Sequence, residues 1–251
     1  MQFKTLDQIM RVFETAHDFS ILPSTYIIAR LDGRNFTHLT KEKYQFQAPF
    51  DPIFRDYMLD TVEHLMTCGF KVIYGYTQSD EISLLFDISE ETFGRKLRKF
   101  NSVLAAEASA KFSLLLGSIA CFDCRISQLP NFDLVTDYFS WRQQDAYRNS
   151  LSAHCYWGLR REGNSSRQAT SMTNGLGEAD KHELLFQQGI NFNDLPIWQK
   201  RGCGLYWETY EKIGQNPLTR EASITTRNRI KRDLAVPMKE EYRQFLRDLI
   251  L

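Results

Sequence analysis

The chain has 251 residues and balances 31 Lys and Arg against 31 Asp and Glu, so its formal net charge is zero. Apolar residues at 43% and charged residues at 25% describe an ordinary soluble globular protein, long enough to bury a sizeable core as one large domain or two small ones. No apolar run reaches membrane-span length, the N-terminus lacks a signal-peptide core, and zero charge confines any nucleic-acid surface to a local patch. The five cysteines are odd in number and scattered, which fits free thiols in a reducing cytoplasm. Only Cys121 and Cys124 are close. No second pair or His cluster completes a zinc site, and the two fall in an apparent strand, where free Cys is commonly buried.

In chain order, Phe3, Leu6, Ile9, Met10 and Phe13 share one face of a short leading helix within residues 1–20. Pro23 punctuates. Tyr26–Leu31 is a strand, with five of six residues apolar, and it stops at Asp32, Gly33 and Arg34. Lys41–Pro49 is a polar connector. Asp51 and Pro52 form a helix start, an N-cap followed by proline in the first turn. Phe54, Tyr57, Met58, Val62, Leu65 and Met66 form the apolar stripe of a helix that ends before Gly69. Phe70–Tyr76 and Glu81–Phe86 are strands joined through Thr77-Gln78-Ser79-Asp80, which makes a hairpin. Ser89 caps a helix running to about Leu116, with Phe93, Leu97, Phe100, Leu104 and Phe112 on one side. Its first turns carry Arg95, Lys96, Arg98 and Lys99. Gly117 ends it, and Ser118–Arg125 is a fourth strand.

Strand, helix, strand, strand, helix, strand is the ferredoxin-like βαββαβ plan of an α+β fold. That sheet sets the first and third strands side by side and antiparallel. The end of the first, Asp32, then meets the start of the third, Asp80 and Glu81, although Asp32 and Asp80 are 48 residues apart. Converging carboxylates repel unless a cation joins them, and Mg2+ prefers carboxylate, carbonyl and phosphate oxygens. A metal pair held this way aligns a hydroxyl with a phosphate and stabilises leaving pyrophosphate. Arg95, Lys96 and Lys99 would meet the triphosphate. The pattern alone leaves a second reading open, in which Asp32 and Asp80 are turn residues and the cations a solvated helix face.

Arg30-Leu31-Asp32-Gly33-Arg34-Asn35-Phe36 followed about 45 residues later by Gln78-Ser79-Asp80-Glu81 resembles the tRNA(His) guanylyltransferase-like family, the reverse-direction (3′–5′) nucleotide polymerases. The likeness continues through Phe122–Arg125, Trp141–Ala146, Glu183–Phe186 and Gly189–Asn193, covering roughly residues 20 to 210. It implies a catalytic core like the palm of polymerases and nucleotide cyclases in residues 1–130, with 131–251 as a helical and strand-containing extension packed on it as one continuous domain. By carry-over, Asp32, the Gly33 carbonyl and Asp80 hold two Mg2+, with Asp32, Asp80 and Glu81 as the catalytic carboxylates. Gly33, Arg34, Asn35, Phe36, Thr37 and Ser79 line the nucleotide. The implied reaction is nucleotide addition to the 5′ end of tRNA, using ATP or GTP as activating and substrate nucleotides, in a cytoplasmic homotetramer.

One departure bears on substrate. Members devoted to tRNA(His) carry His-Ile-Asn-Asn-Leu-Tyr-Asn just after the Trp-Arg-Gln block, where this chain has Tyr147-Arg148-Asn149-Ser150-Leu151-Ser152-Ala153. Only Asn149 and Leu151 match. This resembles the bacterial and archaeal branch, which implies template-dependent 5′-end repair. The alternatives are a dedicated guanylyltransferase, another palm-type enzyme such as a nucleotide cyclase, or a non-catalytic RNA-binding module.

Beyond the core, Asp133–Arg161 reads as long aromatic-rich helix and Gly163–Gly177 as a mobile loop. Glu178–Gln188 reads as a helix, Cys203–Tyr210 and Ser223–Asp233 as strands, and Lys239–Leu251 as a final helix with Tyr242, Phe245, Leu246 and Leu249 on its apolar face. Arg227, Arg229 and Lys231 share one strand face, either a solvated edge or an RNA phosphate contact. His38, His64, His154 and His182 pair with no Ser or Cys in a nucleophile motif and read as surface or packing residues.

Overall fold

Ile27, Ile28, Ala29 and Leu31 make β1 (Tyr26–Gly33) apolar on both faces, and all four are buried. A strand hidden on both faces belongs in the middle of a covered sheet. β1 pairs antiparallel with β3 (Glu81–Phe86) on one side and β4 (Phe122–Leu129) on the other. β3 pairs with β2 (Val72–Gln78), β2 with β5 (Cys203–Gln215), and β5 with β6 (Ala222–Asp233). The order β4-β1-β3-β2-β5-β6 contains the expected ferredoxin-like plan and extends it by one hairpin. The structure, a computed structural model, describes residues 3–215 and 222–250.

Helices cover both faces. α1 (Phe3–Thr15) leads in, with its apolar stripe exposed, and the single turn α2 (Phe36–His38) follows β1. α3 (Pro52–Leu65) starts where expected: the Asp51 carboxylate accepts from the amides of Ile53 at 2.7 Å and Phe54 at 3.2 Å. α3 and α4 (Leu97–Leu116) pack Met58, Val62, Phe100, Leu104 and Phe112 against Leu31, Ile82 and Leu84. On the opposite face, α5 (Phe132–Arg161) and α9 (Lys239–Ile250) close Phe139, Tyr242 and Leu246 over Ile28, Tyr74, Tyr76 and Leu85. Between them in sequence lie α6 (Ser166–Thr173), α7 (Glu178–Gln187) and α8 (Ile197–Arg201). Among the described residues, no helix is long and apolar enough to cross a membrane.

Several expectations are corrected. The helix does not run from Ser89. A 3-10 turn at Thr92–Arg95 intervenes, with Phe93 (φ 56) and Gly94 (φ 60) left-handed, and α4 begins at Leu97. Ser89 instead bonds Asp87, its hydroxyl donating at 2.6 Å. The Gly163–Gly177 segment is not simply a loop, because it holds α6. Ser165 and Gln168 form a reciprocal capping box there, and Ala169 is buried. The Lys41–Pro49 connector begins inside a π-helical turn, Leu39–Lys43. The last two strands are longer than expected, since pairing continues out to Gln215 and Ala222. Arg227, Arg229 and Lys231 do share an exposed face of the edge strand β6, where Glu208 reaches Arg229 at 2.6 Å and Lys231 at 3.3 Å. Cys124 sits on β4 and Cys121 just before it; both are free, and burial pushes the Cys124 thiol up to about 12.

Candidate active site

The convergence expected from the topology is present. Asp32 lies opposite Glu81 in the β1–β3 register, and the Gly33 amide donates to the Asp80 carbonyl at 3.0 Å. The Arg34 amide donates to the Cys121 carbonyl at 2.8 Å, so the turn after β1 is laced to both neighbouring strands. Two residues beside the carboxylates hold left-handed backbone without being glycine: Asn35 (φ 62) and Ser79 (φ 54). Such a residue costs about 1–2 kcal/mol, a strain that clusters at functional sites. The Ser79 hydroxyl donates to Asp80 Oδ1 at 3.0 Å.

The carboxylates differ in their surroundings. Burial pushes the Asp80 carboxyl above its ordinary range; its own amide and Ser79 oppose the rise, and the charge of Asp32 adds to it. Among the described residues, Asp80 has no ion-pair partner. Asp32 touches Arg30 at 3.2 Å. Glu81 is also raised by burial, but Arg142 and Arg30 oppose this and clamp it at 3.0 and 2.5 Å. Among the described residues, no three His, Cys, Asp or Glu side chains form a closed metal cage. Two open carboxylates beside a backbone carbonyl are instead the all-oxygen set that Mg2+ takes when phosphates and water complete its shell. The half-buried Asp80, without an ion-pair partner among the described residues, fits that use.

These carboxylates line a cavity of about 320 Å³. Phe36, Thr37, Phe54 and Arg55 form one wall, and Arg142, Asp145, Asn149 and Ala153 of α5 the other. At its edge the Arg55 guanidinium lies 4.7 Å over the Trp198 ring and the Lys41 ammonium 5.4 Å over Trp157. A cleft of this size with aromatic walls and a few polar groups suits a small ligand with a flat ring.

Of the residues nominated from sequence, Asp32, Phe36, Thr37, Ser79, Asp80 and Glu81 line the cavity. Phe36 is also core, its ring centroid 5.1 Å from Phe112 and 5.0 Å from Phe122. Gly33, Arg34 and Asn35 form the turn between β1 and α2, where Gly33 is buried and Arg34 and Asn35 are exposed. A Cβ on Gly33 would stand 2.5 Å from the Phe36 ring, so the close approach requires glycine. His38 is exposed and pairs with Glu42 at 3.2 Å.

Arg95, Lys96 and Lys99 are not at this site. They lie near the amino end of β1, six residues and about 20 Å from Asp32 at the usual strand rise. The left-handed break at Phe93 and Gly94 folds Arg95 back beneath residues 21–25. There the buried guanidinium donates to the carbonyls of Ile21, Leu22, Thr25 and Glu90. Lys96 pairs with Asp18 at 3.0 Å, and Lys99 lies 5.6 Å over the Phe93 ring. Sequence reading missed Arg55, Trp198, Arg142, Asp145 and Asn149. The Trp141–Ala146 block carried likeness without an assigned role, and Arg55 looks like any surface charge on α3.

The chain matches the family described as "tRNAHis guanylyltransferase" (Thg1) over residues 7–133 and the "Thg1 C terminal domain" over residues 133–249. It is 34% identical over 195 residues to a probable tRNA(His) guanylyltransferase of Drosophila melanogaster, covering 74% of this chain and 68% of that one. A bacterial tRNA(His) guanylyltransferase (Thg1)-like protein solved in complex with GTP is similar with a TM-score of 0.74 and 29% identity, over 98% of this chain and 99% of that one. A bacterial protein of the same description in complex with ATP gives a TM-score of 0.75 at 28% identity, with the same coverage.

Proposed function

This chain belongs to the tRNA(His) guanylyltransferase family of nucleotidyltransferases, and from that premise we propose that it repairs the 5′ end of tRNA, adding nucleotides in the 3′–5′ sense opposite a template strand. The observation that carries the chemistry is the meeting of Asp32 and Asp80 in one cavity. Asp32, the Gly33 carbonyl and Asp80 would hold Mg2+, which when bound neutralises triphosphate oxygens and aligns the attacking hydroxyl. GTP or ATP, the nucleotides in the bacterial complexes, fits this cavity as substrate, with the aromatic walls taking the base. The Ser79 hydroxyl, now on Asp80, is placed to orient that carboxylate.

The α5 wall supports the repair reading. Asn149 and Ala153 face the cavity, and Tyr147 turns away and bonds His182 at 3.2 Å. Where dedicated enzymes end their block with Asn, this chain presents the methyl of Ala153 to the cavity. Removing a polar group that one RNA satisfies also removes the penalty on the others, leaving base pairing to select the nucleotide. The test is addition to 5′-truncated tRNAs of several identities, with each NTP supplied singly. Incorporation is expected to follow the opposing base on all of them. Addition of G alone, to tRNA(His) alone and whatever base stands opposite, would instead establish the dedicated guanylyltransferase, the activity named for the Drosophila relative.

A further inference from the structure

Three carboxylates meet at one end of the sheet: Asp32, Asp80 and Glu81, the last next to Asp80 in sequence and opposite Asp32 in register. Glu81 alone is gripped by two guanidiniums. Arg30 Nη2 reaches Glu81 Oε2 at 2.5 Å, and Arg142 Nη1 donates to both Glu81 oxygens at 3.1 and 3.0 Å. Arg30 is shared, since the same nitrogen also reaches Asp32 at 3.2 Å. Arg142 comes from a different layer, the α5 helix, and makes no contact with Asp32 or Asp80 among the described ion pairs. Its side chain is 4% exposed, lies 3.6 Å over the Trp141 ring and reaches Asp145 at 3.3 Å. A guanidinium packed this tightly is held in one orientation, and its planar fork transmits that orientation to the carboxylate it grips.

We propose that Arg142 is a positioning residue for the metal-binding pair: by holding Glu81 against α5 it keeps the third carboxylate from competing with Asp32 and Asp80 for the cation. Glu81 is then a counter-charge rather than a ligand. The arrangement also ties the carboxylate end of the sheet to the helix that carries Asn149 and Ala153 into the cavity. Without Arg142, Glu81 would retain only the guanidinium it shares with Asp32. Its carboxylate would then be drawn toward a cation between its neighbours or would repel them, and either disturbs a geometry that metal binding needs.

The proposal rests on Asp32 and Asp80 holding a divalent cation, and the experiment separates the two claims. Mn2+ affinity of the full chain is titrated, without nucleotide, by loss of the free-ion paramagnetic resonance signal. Steady-state addition and melting are followed in parallel. R142M is expected to weaken Mn2+ about tenfold to a hundredfold and to lower kcat more than it raises the nucleotide KM. R142K, which keeps the charge and loses the fork, should fall between R142M and the unmodified chain. In E81Q/R142M no displaced charge remains, so most of the lost Mn2+ affinity should return. Unchanged Mn2+ affinity in both R142M and R142K, with only melting lowered, would overturn the proposal and leave Arg142 a strut. So would a double variant no better than R142M. If R142M does not fold, R142K and the double variant decide by the same criteria. D80N is the control: undiminished Mn2+ binding there would sink the metal reading itself, whatever Arg142 does.

Discussion

At the amino end of β1, Arg95 is buried and aims its guanidinium at the carbonyls of Ile21, Leu22, Thr25 and Glu90. At the carboxyl end, Asp80 is half-buried and has the Ser79 hydroxyl and its own amide but no ion-pair partner among the described residues, with Arg30 acting on it only from a distance. Both ends take charge at least partly out of water. One supplies every partner that charge needs; the other withholds them and adds left-handed backbone at Asn35 and Ser79. A buried charge satisfied from within ties segments together, whereas one left open raises the energy of the empty site and is relieved by a ligand. The run Arg95–Lys99 looks from its sequence more like a phosphate site than Ser79-Asp80 does. Burial and partners reverse that impression.

The largest expected effect breaks the open end. Asp32→Ala and Asp80→Ala should each lower nucleotide addition on the order of a thousandfold, about 4 kcal/mol of transition-state stabilisation. Melting of Asp80→Ala in the absence of divalent cation should not fall, because that substitution removes a half-buried charge with no ion-pair partner among the described residues. Near-normal turnover in either variant would remove the metal-binding role from these carboxylates.

The closed end should break the other way. Arg95→Ala leaves four carbonyls without their donor and should cost about 3 kcal/mol of folding stability, read by denaturant unfolding. Turnover per folded molecule should stay near that of the unmodified chain. A selective fall in turnover at unchanged stability would mean that Arg95 acts on the nucleotide after all.

The same rule applies to a group that stays neutral. His154 on α5 is 5% exposed, its Nε2 lacks a hydrogen-bond partner, and burial lowers its pKa from 6.5 to about 4. Above pH 6.5 both folded and unfolded chains leave it neutral, and its contribution is fully present. Between pH 6.5 and about 4 the unfolded chain takes up a proton that the folded chain refuses, so stability falls as the pH drops. At pH 5 the loss from this residue is about 2 kcal/mol, at 1.36 kcal/mol per unit. His154→Gln should flatten the change in unfolding free energy between pH 7 and pH 5. Equal losses in the two chains would place the acid sensitivity elsewhere.

What sequence could show follows from the range of each interaction. β1, β3 and the start of α3 were legible because apolar patterning and the Asp51-Pro52 cap act within a few residues. Asp32 and Asp80 were legible at long range because strand order alone brings them together. The Glu81–Arg142 clamp was not: its partners are 61 residues apart, and although Glu81 stood out, nothing local to Arg142 points to it. Arg95 was misplaced because helical periodicity was carried through Gly94, where the backbone turns left-handed. α6 had its signal, Ser165 three residues before Gln168, but polar composition masked it.

The smallest effect sharpens the comparison most, because it asks for nothing to happen. Lys96 pairs with Asp18, Arg98 closes on the same carboxylate, and Lys99 rests over Phe93. At about 20 Å from Asp32 these charges lie more than two Debye lengths away, the length being about 8 Å at physiological salt. Their field at a nucleotide in the cavity is therefore largely screened. Lys96→Gln/Lys99→Gln should leave the nucleotide KM within about twofold at physiological salt, since exposed pairs of this kind contribute little. The measurement should be repeated at low salt. There the Debye length grows to about 30 Å at 0.01 M, and a purely long-range attraction would show as a KM that rises in the variant only under that condition. A KM raised severalfold at both salt concentrations would require direct contact with the triphosphate. One geometry for such contact is a second copy of the chain presenting its Arg95–Lys99 turn to this cavity.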